Sequence, residues 1–559
     1  MNRYKLIAIL LCAPFFVFSQ EDEEKKDYGK LSGGIESNSQ YYVDDAKTGD
    51  FEQEDPFRSN NYLRLNYNYK NWFAHVQLES YEPNAILNFY PKYKGTDIGT
   101  FAVGYKNSKI EATLGHFYEQ FGSGLILRSW EDRQLGINNS IRGANIKYRP
   151  TNDLEFSALY GRQRDGFEVS DGSIYGFNAE IGLSSLFKFE STGLDLGLSY
   201  VGRDEDLDID NPDFESLTNS FSARLDFTEG NIYSSIEYVM KGEDVYSELG
   251  NIIDDRYFDG SAILFNIGYA KSGLGIDATF RRMENMAFFS ERDESANVFN
   301  QNYINFIPAL TKQHDYGLTN IFVYQSQPRL TFNPLFKSGE IGGQVDIFYN
   351  VKKGTKLGGK YGTKLAFNFS TWSGLKGDFN TNDRTYEDTD LFGFGDKYFE
   401  EFSLDIKKKW SPKWSSIVSV VNTYYNARFV EDRTGEVNAT ALVGEVTRKF
   451  NGGKSIRAEL SHLFSDDKTT ERAKNWAGGT LEYNFSSRLS VFATDIWNYG
   501  NPDEDRQVHY YAFGGSFTKG ATRVMASYGR QRGGLVCVGG ICRFVPENTG
   551  FTLNVSTSF

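Results

Sequence analysis

The chain has 559 residues and is rich in aromatic side chains (46 Phe, 35 Tyr, 7 Trp) and in glycine (55), whereas it has only 12 prolines. Its 60 basic and 74 acidic residues give a formal net charge of −14 at pH 7, which excludes nucleic acid as a partner on electrostatic grounds. The mean hydropathy is −0.49, and no apolar run reaches the roughly 20 residues that a spanning helix needs.

The sequence begins with a predicted signal peptide at residues 1–19, and residues 20–28 are predicted to form a short periplasmic segment. Arg3 and Lys5 precede a mostly apolar run from Leu6 to Phe18, which is too short to cross a bilayer. Cys12 lies inside this run, but the residues around it fit the lipoprotein cleavage motif poorly, so no lipid anchor is predicted.

Residues 29–559 alternate between apolar and polar side chains, as in Phe221–Phe227, Leu274–Phe280 and Phe402–Ile406. Alternation predicts strands with one apolar and one polar face. Because it continues without helical stretches or a domain break, it favours a membrane barrel over a soluble sandwich. The predicted fold class is all-β: a transmembrane antiparallel β-barrel of about 24 strands (range about 20–28), with inward-folded loops.

Unequal connections predict the topology of this barrel. Very short turns occur at sites such as Lys70–Asn71, Thr228–Gly230, Ser411–Pro412 and Lys519–Gly520, whereas long polar connections occur at 43–58, 81–97, 203–216, 241–259, 372–397 and 533–547. Short turns are typical of the periplasmic side, so both termini are predicted to be periplasmic and the strand number even. If His314–Val323 were a strand, the strand number would be odd and the later short turns would fall on the wrong side, so this stretch is assigned to a long loop.

A lumen of about 24 strands is too wide for wall side chains to fill. Segments 115–143 and 284–340 are too rich in aromatic and charged residues for plain surface loops, so we expect one or both to fold inward. The alternative is that both are ordinary extracellular loops. The first segment contains a predicted pore or plug charge cluster: Glu119, Arg128, Glu131, Asp132, Arg133 and Arg142. These charges would either set the field of a pore constriction or hold a structural plug by salt bridges.

The stretch Gly115–Ser140 reads GHFYEQFGSGLILRSWEDRQLGINNS, and it resembles a family of Bacteroidota outer-membrane barrel proteins grouped under a domain-of-unknown-function label. Tyr303–His314, Lys352–Thr363 and Gly534–Pro546 are similar to this family as well, so the resemblance spans most of the mature chain. It implies the outer membrane and the barrel fold, and it supplies no activity, substrate or catalytic residue.

Other motifs carry weak signals. Asp206, Asp208 and Asp210 form a weak calcium candidate in an acidic loop, because the glycine and glutamate of an EF-hand are missing; a solvated loop is the alternative. No cofactor is predicted. His462 shares a strand face with Leu460 and Phe464, as a lipid hydrolase would require, but the sequence identifies no serine partner, so an enzyme is not predicted.

The C-terminal region predicts a disulfide and an export route. Cys537 and Cys542 in C-V-G-G-I-C favour a local disulfide at a hairpin tip, with free thiols as the alternative. Phe551–Phe559 alternates strictly and ends on an aromatic residue, which is typical of barrels recognised by the barrel assembly machinery.

We therefore expect a location in the outer membrane of a Gram-negative bacterium, in contact with its lipid and lipopolysaccharide. The favoured function is a channel or uptake barrel for small solutes with a charged plug or constriction. The alternative is a non-conducting scaffold subunit with protein partners in an outer-membrane assembly, secretion or surface complex.

Overall fold

A computed structural model of the chain describes residues 28–49, 55–86, 92–207, 209, 214–248, 251–294, 297, 302–328, 339–380, 385–431, 435–466 and 474–559. The predicted signal peptide lies outside these residues. Across these ranges, no helix combines the length and apolar character that crossing a membrane requires.

The described residues form a 24-stranded antiparallel sheet. Its strands are β1 Lys30–Tyr42, β2 Phe57–Tyr69, β3 Trp72–Tyr81, β4 Gly95–Lys106, β5 Ile110–Phe117, β6 Ile141–Thr151, β7 Leu154–Asp165, β8 Glu168–Gly182, β9 Thr192–Asp204, β10 Leu217–Glu229, β11 Ile232–Glu248, β12 Asn251–Lys271, β13 Leu274–Glu284, β14 Gly339–Val351, β15 Thr363–Asn380, β16 Thr385–Lys409, β17 Trp414–Asn426, β18 Glu436–Lys449, β19 Ser455–Ser465, β20 Asn475–Asn484, β21 Leu489–Trp497, β22 His509–Lys519, β23 Thr522–Gln531 and β24 Asn548–Ser558.

The sheet closes into a barrel. Each strand pairs with the next one along the chain, and β24 pairs with β1 from Ser558 opposite Gly34 to Gly550 opposite Tyr42. Backbone hydrogen bonds between Gly33 and Phe559 extend this seam to the last residue. The fold class and the strand number predicted from the sequence are therefore confirmed.

The wall alternates between an apolar outer face and a polar inner face. On β11, Ile236, Tyr238 and Met240 are 47%, 44% and 49% exposed, whereas Glu237 and Lys241 between and beside them are 2% and 6% exposed. Only a closed barrel with such an apolar outer face satisfies its backbone inside lipid. The protein is thus a transmembrane barrel of the outer-membrane type.

The two ends of the barrel differ. At one end, which we call the turn end, tight connections such as 70–71, 152–153, 230–231 and 520–521 join the strands, together with both termini of the barrel. The opposite end, the loop end, has the long connections, although a tight turn at 166–167 lies there as well. A short helix, Leu183–Phe187, lies in a turn-end connection, and a second one, Ala427–Val430, lies at the loop end.

Two predicted loops are wrong in part. Most of 241–259 and 372–397 is strand, because β11 and β12 meet across 249–250 and β15 and β16 approach each other as far as Asn380 and Thr385. A strand that rises above the bilayer into water needs no apolar face, so a polar sequence does not mark its end.

Two loop-end connections are much longer than the rest, 118–140 and 285–338. The first contains two minute hairpins, Gln120–Phe121 with Leu127–Arg128 and Glu131–Asp132 with Ile137–Asn138. The second contains the 3-10 helix Gly317–Asn320, so the stretch His314–Val323 is outside the barrel wall, as predicted. Further 3-10 turns are Asn451–Gly453 and Glu504–Arg506.

Candidate functional site in the lumen

The described residues of 118–140 and 285–328 form one layer inside the barrel, which we call the inner layer. The two segments bond to each other through Arg128 N and Ile304 O (2.9 Å) and through Phe306 N and Gly124 O (2.9 Å). Side chains or backbone atoms of this layer also bond to inward-facing residues on strands around much of the wall: Glu36, Gln77, Lys147, Gln163, Arg203, Glu237, Arg281, Glu401 and Glu445.

Three of the six predicted cluster residues anchor the first segment to the wall. The buried Glu119 carboxylate accepts hydrogen bonds from Lys147 Nζ (2.8 Å) and Asn145 Nδ2 (2.8 Å) on β6. Arg133 binds Glu131 beside it (3.1 Å). The Glu119–Lys147 contact is thus an ion pair between the inner layer and the wall, whereas Arg133 and Glu131 pair within the layer.

Arg133 also connects the inner layer to the first strands of the barrel. Its guanidinium donates to the carboxylate of Glu36 on β1 (2.5 Å) and to Gln77 Oε1 on β3 (3.0 Å), and it lies 4.2 Å from the centre of the Tyr62 ring. Burial lowers the pKa of Arg133, but Glu131 and Glu36 outweigh it and raise the pKa above the ordinary value.

Arg128 and Asp132 have different roles. Arg128 lies over the ring of Phe306, 3.9 Å from its centre, and over Trp130 at 5.9 Å. Among the described residues its guanidinium has no carboxylate partner, and burial lowers its pKa. Asp132 accepts a hydrogen bond from Leu135 N (2.8 Å), so it caps a turn.

Arg142 is not in the lumen. It lies on β6 in line with Ala144 and Ile146, which face outward and are exposed, whereas Asn145 and Lys147 face inward. Its placement in the predicted cluster is therefore wrong. β6 begins at Ile141, so strand alternation and not loop geometry sets the direction of this side chain.

A second group of buried charges, which the sequence did not reveal, ties the other segment to the wall. Arg203 Nη2 on β9 and Arg292 Nε in the inner layer both bind Asp244 Oδ1 on β11, at 2.7 and 2.8 Å. Glu205 lies 3.4 Å from Arg203 and 3.6 Å from Arg292. The partners are 41 and 48 residues apart in sequence, so no local pattern could have paired them.

A buried bidentate pair lies on the inner side of the wall near the loop end. Arg164 on β7 donates to both Glu79 oxygens on β3, at 2.9 and 2.6 Å, and both side chains are almost fully buried. The two strands are not neighbours, so this pair ties separate parts of the wall together. Breaking such a pair leaves a buried charge without compensation.

Strands β13 to β18 hold the second segment by polar and aromatic contacts. Glu340 on β14 binds Arg281 on β13 (2.6 Å) and accepts from Tyr324 Oη of the inner layer (2.5 Å). Further wall contacts are Lys312–Asp405 (2.8 Å), His314–Glu401 (2.7 Å) and Tyr316–Glu445 (3.4 Å). Tyr324 stacks on Trp372, with ring centres 6.0 Å apart, and Trp372 is 0% exposed.

The inner layer covers the wall unevenly. We call the inward face of β8–β18 the packed sector and that of β21–β24 the open sector. In the packed sector Glu237, Asn368 and Ser419, each five residues from the turn end of its strand, are buried. At the same step in the open sector, Thr494 and Ser527 are half-exposed. The open sector is buried only towards the loop end, at inward positions such as Tyr510, Gly529, Asn548 and Gly550. The lumen beside it is therefore uncovered below that level.

The predicted disulfide is confirmed, and it lies in a hairpin above the open sector. Gly534–Val538 pairs with Ile541–Val545, and Cys537 lies opposite Cys542 and is bonded to it. Gly539 and Gly540 form the tip with φ of 59° and 82°, which a tight hairpin turn requires. The hairpin starts on β23 and β24, and Gly540 O accepts from Ala309 N of the inner layer (2.8 Å).

A cluster of three carboxylates among the described residues is paired with a lysine. Asp208 and Asp210 of the calcium candidate lie outside the described residues. Carboxylate oxygens of Asp165, Glu291 and Glu294 lie within 4.8 Å of one another, but Lys92 Nζ binds both Asp165 and Glu294 and supplies the positive charge there. Burial, opposed by Lys92 and assisted by Asp165 and Glu294, raises the pKa of Glu291 to about 7.

His462 faces outward on β19 beside Leu460 and Phe464, as its phase predicts. Its Nε2 lies 2.7 Å from Tyr499 Oη, and its buried Nδ1 has no hydrogen-bond partner among the residues that the structure covers. The described geometry thus pairs this histidine with a tyrosine and brings no serine to it.

These features can be set beside known proteins. The model of a family of unknown function, DUF6029, matches residues 1–559. The chain belongs to the DUF6029 family. The resemblance read from Gly115–Ser140 is thereby confirmed at the level of a family of unknown function, while the attribution to Bacteroidota stays a prediction. No curated protein matches this DUF6029 chain significantly.

Solved structures similar to this DUF6029 barrel are distant. The siderophore receptor PirA from Pseudomonas aeruginosa is 9% identical, with 96% of this chain and 81% of that chain covered and a TM-score of 0.40. The P pilus usher PapC translocation pore is 11% identical, with 95% and 99% covered and a TM-score of 0.43. A BenF-like porin from Pseudomonas fluorescens is 9% identical, with 95% and 98% covered and a TM-score of 0.36. Similarities this weak support no conclusion beyond the barrel that the strand pairing already shows.

Proposed function

We propose that the protein is an outer-membrane uptake barrel for small polar solutes, whose path follows the open sector. The observation that supports this is the uneven cover of the wall: five residues from the turn end, inward Thr494 and Ser527 of the open sector are half-exposed, whereas inward residues of the packed sector such as Asn368 and Ser419 are buried. A barrel of about 24 strands has room for both a fixed layer and a passage beside it.

The lining of the open sector fits uncharged polar solutes. Its inward positions at mid-strand are uncharged and include the hydroxyl side chains Thr494, Ser516, Ser527 and Thr552 beside the apolar Phe492 and Met525. Ser490 Oγ and Ser516 Oγ lie 2.8 Å apart and form a hydrogen bond. The inner face of the open sector therefore offers uncharged hydrogen-bonding groups. Pores select ions through rings of charged groups, and this stretch has none at mid-strand among the described residues.

The disulfide hairpin closes this path at the loop end in the described state. It connects the two last strands of the open sector, its tip accepts a hydrogen bond from Ala309 N through Gly540 O, and the disulfide sulfur of Cys542 lies 3.6 Å from Tyr324 O in van der Waals contact. Uptake therefore requires the hairpin to move away from Ala309 and Tyr324. The loop end then faces the exterior, and the termini face the periplasm.

Planar-bilayer conductance of the purified protein tests the path. We expect low conductance from the wild type, a marked increase after residues 534–545 are replaced by a short Gly-Ser linker, and loss of that increase when Ser527→Phe is added. A matched Ser222→Phe change in the packed sector should leave the conductance of the linker variant unchanged. No current from the linker variant would refute the uptake proposal.

Orientation is tested separately on intact cells. A cysteine at Asp44, which is exposed at the loop end, should react with a membrane-impermeant maleimide, whereas a cysteine at Lys519, exposed at the turn end, should not. Reaction at Lys519 only would reverse the proposed orientation.

A non-conducting scaffold is the second candidate, and the ion pairs of the inner layer favour it. Buried charges such as Arg203, Asp244 and Arg292 fix the layer to the wall, and a barrel with a fixed layer can serve as a platform for its loops. Stoichiometric partners in complexes purified from native membranes, together with no conductance from the linker variant, would support this function.

A further inference from the structure

Two arginines lie side by side on the outer surface of the barrel near the loop end. Arg142 on β6 and Arg162 on β7 are directly opposite each other in the strand register. Both are exposed, and both belong to the outward-facing set of their strands, with Ala144 and Ile146 on β6 and Tyr160 on β7.

Neither arginine has a partner among the residues that the structure describes. Within the described ranges, neither guanidinium forms a hydrogen bond or an ion pair, whereas inward arginines such as Arg133 and Arg164 bind carboxylates. Like charges directly opposite each other on neighbouring strands destabilise a sheet. An anion between the two side chains would remove this repulsion.

The position of the pair along the strand corresponds to the membrane surface. The outward column of β7 runs from Leu154 through Phe156, Ala158 and Tyr160 to Arg162. At ~3.4 Å per residue this column is roughly 27 Å long, or about 21 Å along the membrane normal for a strand tilted by ~40°. The apolar band of such barrels is about 25 Å tall, so a column that starts at its lower edge brings Arg162 within about 4 Å of the upper edge, from where a long arginine side chain reaches the headgroups.

The surroundings of the pair suit a lipid headgroup. One step below it, the Tyr160 and Tyr175 rings lie 5.2 Å apart on the outer face, as aromatic residues do at a membrane interface. On the other side, the buried His116 is opposite Arg142, and its Nδ1 lies 3.2 Å from Phe101 N. That ring therefore does not neutralise or occupy the arginine pair.

We propose that Arg142 and Arg162 together bind a phosphate of lipid A, the phosphorylated lipid of the leaflet at the loop end. A guanidinium forms two parallel charge-assisted hydrogen bonds to a phosphate, and two adjacent guanidinium groups can share its oxygens. Tyr160 and Tyr175 then contact the upper acyl chains. The site depends on the outward orientation of the loop end and does not depend on whether the lumen conducts.

Native mass spectrometry of the detergent-purified protein tests this site, with bisphosphorylated lipid A and enzymatically dephosphorylated lipid A as probes. We expect Arg142→Gln/Arg162→Gln to bind the phosphorylated probe at least about tenfold more weakly than the wild type, with no change for the dephosphorylated probe. The control is Arg448→Gln. Arg448 is an exposed outward arginine at the turn end that lies over Trp414 (5.0 Å), and its loss should not change lipid A binding.

Three outcomes would overturn the proposal: wild-type affinity in the double variant, an equal loss in Arg448→Gln, or displacement of lipid A by millimolar inorganic phosphate, which would indicate a site for free anions. Heat-modifiable gel migration checks the folding of each variant. If the double glutamine variant does not fold, Arg142→Lys/Arg162→Lys keeps the charge and removes the planar fork, and undiminished binding by it would refute the bidentate site.

Discussion

The packed sector and the open sector are built from strands with the same alternation, 11–25 residues long in the first and 9–11 in the second, yet their inner faces have different chemistry. The packed sector carries buried arginines, carboxylates and aromatic rings that bond to the inner layer, such as Arg203, Glu340 and Trp372. At mid-strand the open sector carries uncharged side chains, among them hydroxyl groups such as the bonded pair Ser490 and Ser516. The difference shows that the wall itself determines where the inward segments pack, because each buried charge requires a partner.

The largest expected effect is the loss of a packed-sector aromatic. Trp372→Ala should lower the free energy of unfolding by about 3–5 kcal/mol, because it leaves a cavity against Tyr324 and the inner layer. Phe492→Ala, on the half-exposed inner face of β21, should cost less than about 1 kcal/mol. Urea unfolding followed by tryptophan and tyrosine fluorescence measures both. Equal losses would mean that the two sectors are packed alike.

The second largest effect is expected when a small inward side chain is replaced by a large one, because the two sectors should tolerate it differently. Ser370→Phe inserts a ring where the serine is 0% exposed, and overpacking should cost about 1–3 kcal/mol. Ser527→Phe places the same ring in the open sector and should leave the unfolding midpoint unchanged. If Ser527→Phe is as destabilising as Ser370→Phe, the lumen beside β23 is filled.

Removal of the disulfide should loosen only the hairpin. In a chain-entropy estimate, closing so short a loop contributes about 2 kcal/mol. Cys537→Ser/Cys542→Ser should therefore weaken the amide-exchange protection of Gly534–Val545 and increase the conductance through the open sector, while exchange in β8–β18 stays as in the wild type. Unchanged protection of the hairpin would show that its contacts with Ala309 and Tyr324 hold it without the bond.

The smallest expected effect depends on pH, at the edge of the packed sector. The pKa of Glu291 is raised from its ordinary value of 4.5 to about 7, so the unfolded chain ionises first as the pH rises. The contribution of Glu291 to the free energy of unfolding is therefore greatest below pH ~4.5, and it declines as the pH rises to ~7. Exchange protection of residues 287–294, corrected for the intrinsic rate, should decline over this range and stay level in Glu291→Gln. A decline of equal size in that variant would assign the titration to another group.

The sequence predicted the barrel well because its signals are local. Alternation marks each strand, tight turns mark one end, and the spacing of Cys537 and Cys542 marks a hairpin tip. It also excluded His314–Val323 from the wall by parity alone. The partners of buried charges carry no such signal: Arg164 meets Glu79 across 85 residues, and only the closed sheet brings them together.

The error at Arg142 has the same physical origin. Charge type alone suggested a plug residue, but the strand starts one residue earlier, and the alternation from Ile141 onward turns this side chain to the outside. Arg128 and Asp132 show a second limit. Their neighbours are a ring and a backbone amide, and composition could not distinguish these from opposite charges across a pore.

The seam between β1 and β24 has a consequence for assembly. The hydrogen bonds that join Gly33 to Phe559 connect the two most distant parts of the described chain, so ring closure has the highest contact order in the molecule and should be its slowest step. Until it occurs, β1 and the most recently added strand both expose unpaired edges, which invite pairing with other chains. Insertion of this protein into the membrane thus depends on how long these two unpaired edges stay protected from other chains while the strands between them are added.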